Sequence, residues 1–415
     1  MVIRRFRRWL ALLLVVGASA CTPAGDAQAT FTVGDSMGIR IVTTSRAEWT
    51  EPVFLELAEP TLTLPGADAT TALSSVAAAE QLSGGRIAVL DEHSQEIIVY
   101  GPRGDELFAF GGQGEGPGEF TQAVSMRELP DGTIQVFDAG LQRLTRVGTD
   151  GSLAGIRTLA DDIGGRPTDA WVLDDGSVLA WTTAPDGPDP RRTTSAAHVF
   201  DFSGALVRLG TSPTTVDTIF VGPSSTSIRQ VEPRLVWSHP FGARSAVFVD
   251  LERSRVLLST SESHEIFVAP IDGAPTSPEP SRIRFPAADQ PIAADELADL
   301  RERARARLIS EGAAAATAAD LLFDRALQPD VRPAFRKLLA GPGGSIWARR
   351  FEPVGDDAPL WWIISDQGRF RGRVALPPRS DVLSLSDDHM LLLRLDELDV
   401  PTIDLIPLPV LDRFD

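Results

Sequence analysis

The sequence predicts an all-β protein, a six-bladed β-propeller of four-stranded antiparallel blades, and three observations point there. A unit of strand, polar loop and strand recurs with a period of about 45 residues, in the range of radially stacked repeats. Inside each unit the apolar positions alternate, as they do in strands that bury a face. Gly and Pro, 35 and 31 among 415 residues, fall mostly between units, where the chain turns.

Residues 86–101, RIAVLDEHSQEIIVYG, align without gaps on 255–270, RVLLSTSESHEIFVAP. Each reads as a strand, a four-residue polar loop and a second strand, followed by a turn and an outward strand, ELFAFG in one case and SRIRFP in the other. Further copies stand at 133–159, 177–210, 345–376 and 389–408, so the second strands of six units begin at Arg86, Thr133, Ser177, Arg255, Ser345 and His389. A short strand precedes each, usually closed by a Gly turn, as in AAAEQLSGG and MRELPDG. Four antiparallel strands repeated radially make propeller blades. A pair of stacked β-sandwiches is the competing architecture, and six copies at one period favour the ring.

The last unit runs out of chain after its third strand, and an unpaired edge there would recruit other chains. The segment ahead of the first unit has strand character in GIRIVTT (38–44) and FLELAEPTLTLPG (54–66) and is expected to supply the missing outer strand. An insertion of different pattern, about 287–336, separates the fourth and fifth units. Within it, 296–309 places Leu297, Leu300, Ala304 and Leu308 on one helical stripe, with Asp299 and Arg303 as a favourable i,i+4 pair, and 320–327 reads as a second helix. By connectivity these helices sit at the end of the ring that carries the second-to-third-strand loops, over part of the channel. A second insertion, 211–243, containing Arg229, Arg234, Trp237 and His239, is expected in the same kind of connection between the third and fourth units.

The stretch LSGGRIAVLDEHSQEIIVYGPRGDELFAFGGQGEGPGEF resembles an NHL-type repeat, and the chain from residue 31 onward resembles the six-bladed β-propeller lipoproteins of bacteria. The resemblance implies the fold; the family brings no agreed activity.

Residues 1–20 read as an export signal, with Arg4, Arg5, Arg7 and Arg8 ahead of an apolar run from Trp9 to Val16. That run is about half the roughly 20 residues of a membrane-spanning helix. Cys21, the only cysteine, directly follows Ala18-Ser19-Ala20. This resembles the bacterial lipobox, which implies cleavage before Cys21 and acylation of its thiol. Residues 21–30, small and polar, read as a flexible tether, and 31–415 as the propeller. The expected location is the cell envelope, lipid-anchored, and Thr22 in place of Asp after the cysteine points to the outer membrane.

A composition of 43% hydrophobic and 23% charged residues is that of a folded globular chain. Thirty-nine Lys+Arg against 57 Asp+Glu give a net charge of −18, which opposes nucleic acid and anionic headgroups alike. The expected membrane contact is therefore through the lipid only, and the expected partner is a protein, small-molecule or glycan ligand of a monomeric protein. Lys337 is the single lysine, Tyr100 the single tyrosine, and Asn is absent. Nearly all positive charge is thus arginine, which stays protonated and suits planar, bidentate partners.

Loops at the helical end of the ring carry the candidate ligand residues Asp91, His93, Glu115, Asp138, Arg234, Trp237, His239 and His264, with Asp186, Asp189, Glu262, Asp356 and Asp357 in the same class of position. The five histidines show no close metal-binding spacing. No cofactor is expected, with a carboxylate Ca²⁺ site on the rim or a channel zinc site left open. GGQGEGPGEF (111–120) lacks the Lys-Ser/Thr of a phosphate loop, carries two Glu and reads as a turn. The expected function is a binding module without catalytic residues; the alternative is an envelope hydrolase or lyase with a metal in the channel. Trp361 and Trp362 are expected to split between the two faces of their blade.

Overall fold

The computed structural model describes residues 32–44, 55–66, 72–159, 165–210, 216–230, 236–242, 244–260, 263–271, 279–285, 291–308, 313–352 and 358–409. The export signal, Cys21, the tether, Arg234, Glu262, Asp356 and Asp357 lie outside them.

Among the described residues the strands form six sheets, most of them the four-stranded antiparallel sheets of a β-propeller. The first consists of Val76–Gln81, Ile87–Asp91, Glu96–Tyr100 and Glu106–Gly111, in chain order. The second runs from Ala123–Glu128 to Leu153–Thr158 and the fifth from Phe335–Ala340 to Phe370–Ala375, both also in chain order. Second strands begin at Ile87, Ile134, Val178, Arg255, Ile346 and His389, each within one residue of the position expected from the repeat. Physical position explains their composition. Ile87–Asp91, Ile134–Asp138 and Arg255–Ser259 are buried throughout, since both faces of a middle strand are covered, whereas the outer strand Glu106–Gly111 alternates between half-buried and exposed.

Apolar clusters fill the spaces between sheets. Leu90 and Val99 of the first meet Ala123 and Val136 of the second. Leu179 and Trp181 of the third meet Val256 and Leu258 of the fourth. Leu391 and Ile403 of the sixth meet Val89 and Ile98 of the first. Trp361 and Trp362 do split, Trp361 packing toward the sixth sheet and Trp362 toward the fourth.

The sixth sheet orders Ser380–Leu385, His389–Leu395 and Pro401–Pro407 and is completed by Leu62–Leu64, with Leu64 opposite Ile403 and Leu62 opposite Leu405. The outer strand therefore comes from the expected segment. Only one of its two stretches is used this way. Ile39–Thr43 instead pairs in parallel with Ser281–Arg284, the outer strand of the fourth sheet, and folds back into Thr32–Ser36.

A second correction concerns 211–243. The strand Val216–Gln230 pairs along Ala197–Leu209 and belongs to the third sheet, not to a separate insertion. Val178–Thr193 runs for 16 residues and carries Asp186 and Asp189 within a strand instead of a loop. Its prolines are accommodated by register shifts at Pro185/Gly187 and Pro188/Thr193, irregularities of the kind that tolerate a missing N–H.

Two helices precede the fifth sheet, α1 (Ala294–Leu308) and α2 (Ala313–Leu322). Leu297 and Leu300 of α1 are buried with Phe241, Phe323 and Phe351, and Ala304 packs against them, which is the stripe the 3.6-residue period selects. Burial of a leucine of this kind contributes about 1.5–3 kcal/mol. Leu321 of α2 packs with Val199 and Ile228 of the long third-sheet hairpin. Arg303 forms no ion pair with Asp299 among the described residues; Arg332 instead holds Glu296 at 2.5 Å.

Candidate functional site

Where α1 and α2 meet the ends of the strands, the chain encloses a cavity of about 950 Å³. Ala304, Ala306, Leu322 and Phe323 come from the helical segment, Phe335 and Arg336 from the first strand of the fifth sheet, and Phe351 from the loop after its second strand. Arg379, Leu395 and Asp399 come from the sixth sheet and its loops, and Ser238, His239, Pro240 and Gly242 from the connection out of the third. First strands begin, and second strands end, at one end of each sheet, so all these segments converge on one mouth.

Four arginines line the cavity, Arg244, Arg303, Arg336 and Arg379, against one aspartate. That aspartate, Asp399, is paired with Arg379. Around Arg336 the neighbouring acids are also engaged: Asp381 takes Lys337 and Arg349, each at 3.0 Å, and Glu352 takes Arg349 at 3.4 Å and the Leu360 N–H at 2.7 Å. Arg336 has no hydrogen-bond or ion-pair partner among the described residues. Arg336 is an exposed residue, but the protein packed around it, then Arg349 and Arg244, hold its pKa below the usual arginine value against the attraction of Asp381 and Glu352. The mouth is therefore a cationic, aromatic-walled hollow in a strongly acidic chain. A smaller cavity of about 450 Å³ shares Pro333 with it. There burial pushes Asp189 up, but Arg192 and Arg191 outweigh it and bring the carboxyl to about 2.

Of the residues expected at the rim, His239 lines the mouth cavity. Its ring is already used: the Phe241 N–H donates to Nδ1 at 3.0 Å, and Nε2 donates to the Leu327 carbonyl at 2.7 Å. Burial brings its pKa down to about 4, so the ring is neutral and braces the wall. Trp237 lies in the short strand Val236–Ser238. His264 is buried edge-on against Phe335, with ring centroids 6.1 Å apart.

Asp91 and Asp138 serve turns. Asp91 accepts from the backbone N–H of Ser74, Ser75, His93 and Ser94, and Asp138 accepts from Thr121, Gln122, Gly140 and Leu141. For Asp91 burial pushes the carboxyl up, but these N–H groups more than offset it and leave it below the ordinary range. His93 and Glu115 are exposed. Within 111–120, Arg143 donates to the carbonyls of Glu115 at 3.2 Å and Gly116 at 3.0 Å, and also to that of Glu119, which ties the loop to the second sheet.

A second polar constellation lies on the first strands of three successive sheets. Ser125 donates to Asp169 at 2.5 Å, and the Glu128 N–H donates to Glu80 at 3.2 Å. Burial raises Glu80 to about 7 and Asp169 to about 6, against the opposing pull of these hydrogen bonds and of Arg127. Arg127 Nε and Nη1 are buried without a hydrogen-bond partner among the described residues. No grouping of three or more His, Cys, Asp or Glu suited to a metal ion occurs among the described residues.

Fold and site together define a β-propeller protein with a helix-roofed, arginine-lined cavity at one mouth of its sheets. No family model matches the sequence, and no curated protein does. Several solved structures are similar at low identity. A Bacteroides fragilis protein described as exported shows 12% identity and a TM-score of 0.43, over 86% of this chain and 95% of that one. Virginiamycin B lyase from Staphylococcus aureus shows 8% and 0.41 over 84% and 99%, and a gluconolactonase from Xanthomonas campestris 13% and 0.41 over 85% and 99%. The arginines of the mouth are read from this chain alone.

Proposed function

We propose that this chain is a lipid-anchored, six-bladed envelope propeller, NHL-like in its repeats, whose role is to bind a small molecule in the mouth cavity. Six sheets joined by interlocking apolar clusters, with Leu62–Leu64 completing the last, support the closed ring. The lone Cys21 after Ala18-Ser19-Ala20 supports the anchor. The observation that carries the binding role is the cavity itself: about 950 Å³, roofed by helices added to the repeat, apolar in its walls and supplied with a few converging polar groups.

A screen of envelope-soluble metabolites by thermal shift on the full chain tests this. At least one compound should raise the unfolding midpoint, and Ala306→Trp, which fills the cavity from an exposed helical position, should abolish the rise. Hits that stabilise both forms equally would refute the cavity as the site. For the anchor, Cys21→Ser should move the protein from the membrane to the soluble fraction; an unchanged membrane fraction would contradict it.

The carboxyls on the first strands of the first and third sheets favour a second reading, an envelope hydrolase or lyase. Carboxyl groups that titrate near neutrality, as Glu80 and Asp169 do, are suited to general acid and base work. Turnover of a substrate that is lost in both Glu80→Gln and Asp169→Asn would replace the binding role by this one, and elemental analysis of the active protein would show whether a metal takes part.

A further inference from the structure

We infer that the mouth cavity selects a small monoanion with an apolar body, its carboxylate seated on Arg336 and its body lying on Leu322, Ala304 and Phe351. The inference rests on the binding role proposed above and names the class of ligand. Its basis is an imbalance of charge that the chain as a whole does not share. Net charge is −18 over 415 residues, yet of the four arginines in the wall of this one cavity Arg244 and Arg379 are already engaged, the latter with Asp399, while Arg303 and Arg336 form no hydrogen bond or ion pair among the described residues.

Asp381 and Glu352, the acids whose charge reaches Arg336, bond Lys337, Arg349 and the Leu360 N–H, and Arg336 forms no hydrogen bond or ion pair with them among the described residues. Arg303, on the exposed face of α1, adds a second cation without an intramolecular partner among the described residues. Arginine presents a planar fork that matches a carboxylate in a bidentate manner. Half-buried Ala304 and Leu322, with Phe351, contribute apolar surface to the wall, which polar sugars would not require. A neutral apolar ligand would leave Arg336 and Arg303 desolvated and unpaired, a cost that disfavours it. A cationic ligand would meet repulsion.

Calorimetric titration of the full chain with phenylbutyrate and with its neutral amide tests the class. The carboxylate should bind at least about tenfold more tightly than the amide, with a preference that shrinks as salt is raised. Arg336→Met should erase most of the preference while leaving amide binding in place. Arg303→Met, on a solvent-facing helical position, should reduce it in part and serves if Arg336→Met fails to fold. Equal binding of acid and amide would overturn the anionic class and leave the binding role standing. Binding of neither would overturn both, and carboxylate binding unaffected by both substitutions would place the anion elsewhere.

Discussion

Trp361 and Trp362 are adjacent in sequence and lie in different interfaces, both essentially free of solvent: Trp361 packs with Met390 and Leu392 of the sixth sheet, Trp362 with Ile266 and Ile283 of the fourth. Adjacent strand residues point to opposite faces, so one dipeptide ties its sheet to both neighbours. Trp362 adds edge-on contacts to Phe335 and Phe285, with centroids 5.5 and 5.8 Å away.

Either tryptophan changed to alanine should cost about 3–5 kcal/mol, read as a lower guanidinium midpoint. Trp362→Phe should recover part of the loss because an aromatic edge survives. A substitution that leaves the midpoint in place would mean that the interface is not the one described.

Asp138 is predicted to act on stability and not on ligand. Asp138→Ala leaves the N–H groups of Thr121, Gln122, Gly140 and Leu141 without their acceptor, and the loss of these part-buried bonds makes a destabilisation of roughly 1–3 kcal/mol the expected result. Phenylbutyrate affinity of the folded variant should equal that of the parent. A large affinity change at constant stability would return Asp138 to the ligand site.

Glu80 predicts a stability that depends on pH. Burial brings its folded carboxyl to about 7 against 4.5 for a free glutamate, so the folded state holds a proton that the unfolded chain releases. The contribution of this group is fully present below about 4.5 and is lost as pH rises through about 7. His239 acts in the opposite sense. It is neutral in the fold with a pKa of about 4, and its contribution is present above 6.5 and lost as pH falls through about 4. Comparing Glu80→Gln with the parent isolates the first group: the midpoint of the variant relative to the parent should rise between pH 5 and pH 8. A gap that stays constant with pH would contradict the assignment.

Arg143 holds the loop at 111–120 through carbonyls that a neutral side chain cannot bind. Arg143→Met should make cleavage by a glutamyl endopeptidase at Glu115 and Glu119 several-fold faster while leaving phenylbutyrate binding unchanged. Equal cleavage rates would show that the guanidinium is not what orders the loop.

The repeat was legible because burial on both faces leaves a local mark: the second strands are apolar runs, and all six starts are found within a residue. Pairing partners were less so. Nothing local in GIRIVTT says that Ile39–Thr43 will pair with Ser281–Arg284 instead of closing the ring, since that choice is made between segments far apart in sequence. Pro185 and Pro188 read as loop and lie in a strand because bulges absorb them. Asp91 and Asp138 were visible as acids after strands, and their turn-capping role follows from that position. The mouth is a different case. Arg244, Arg303, Arg336 and Arg379 come from separate segments, and no spacing marks them as one site. The available signals were the arginine-heavy positive charge and the helical stripe of Leu297, Leu300 and Ala304, which is buried with Phe241 and Phe351, whereas the second helix lies at Ala313–Leu322 and not at 320–327.

The most direct measurement is a crystal of the protein soaked with para-bromophenylbutyrate and read at the bromine edge. The account predicts an anomalous peak inside the cavity roofed by α1 and α2, with the carboxylate on Arg336. A peak confined to the channel near Arg127, or to the outer surface of the sheets, would contradict it.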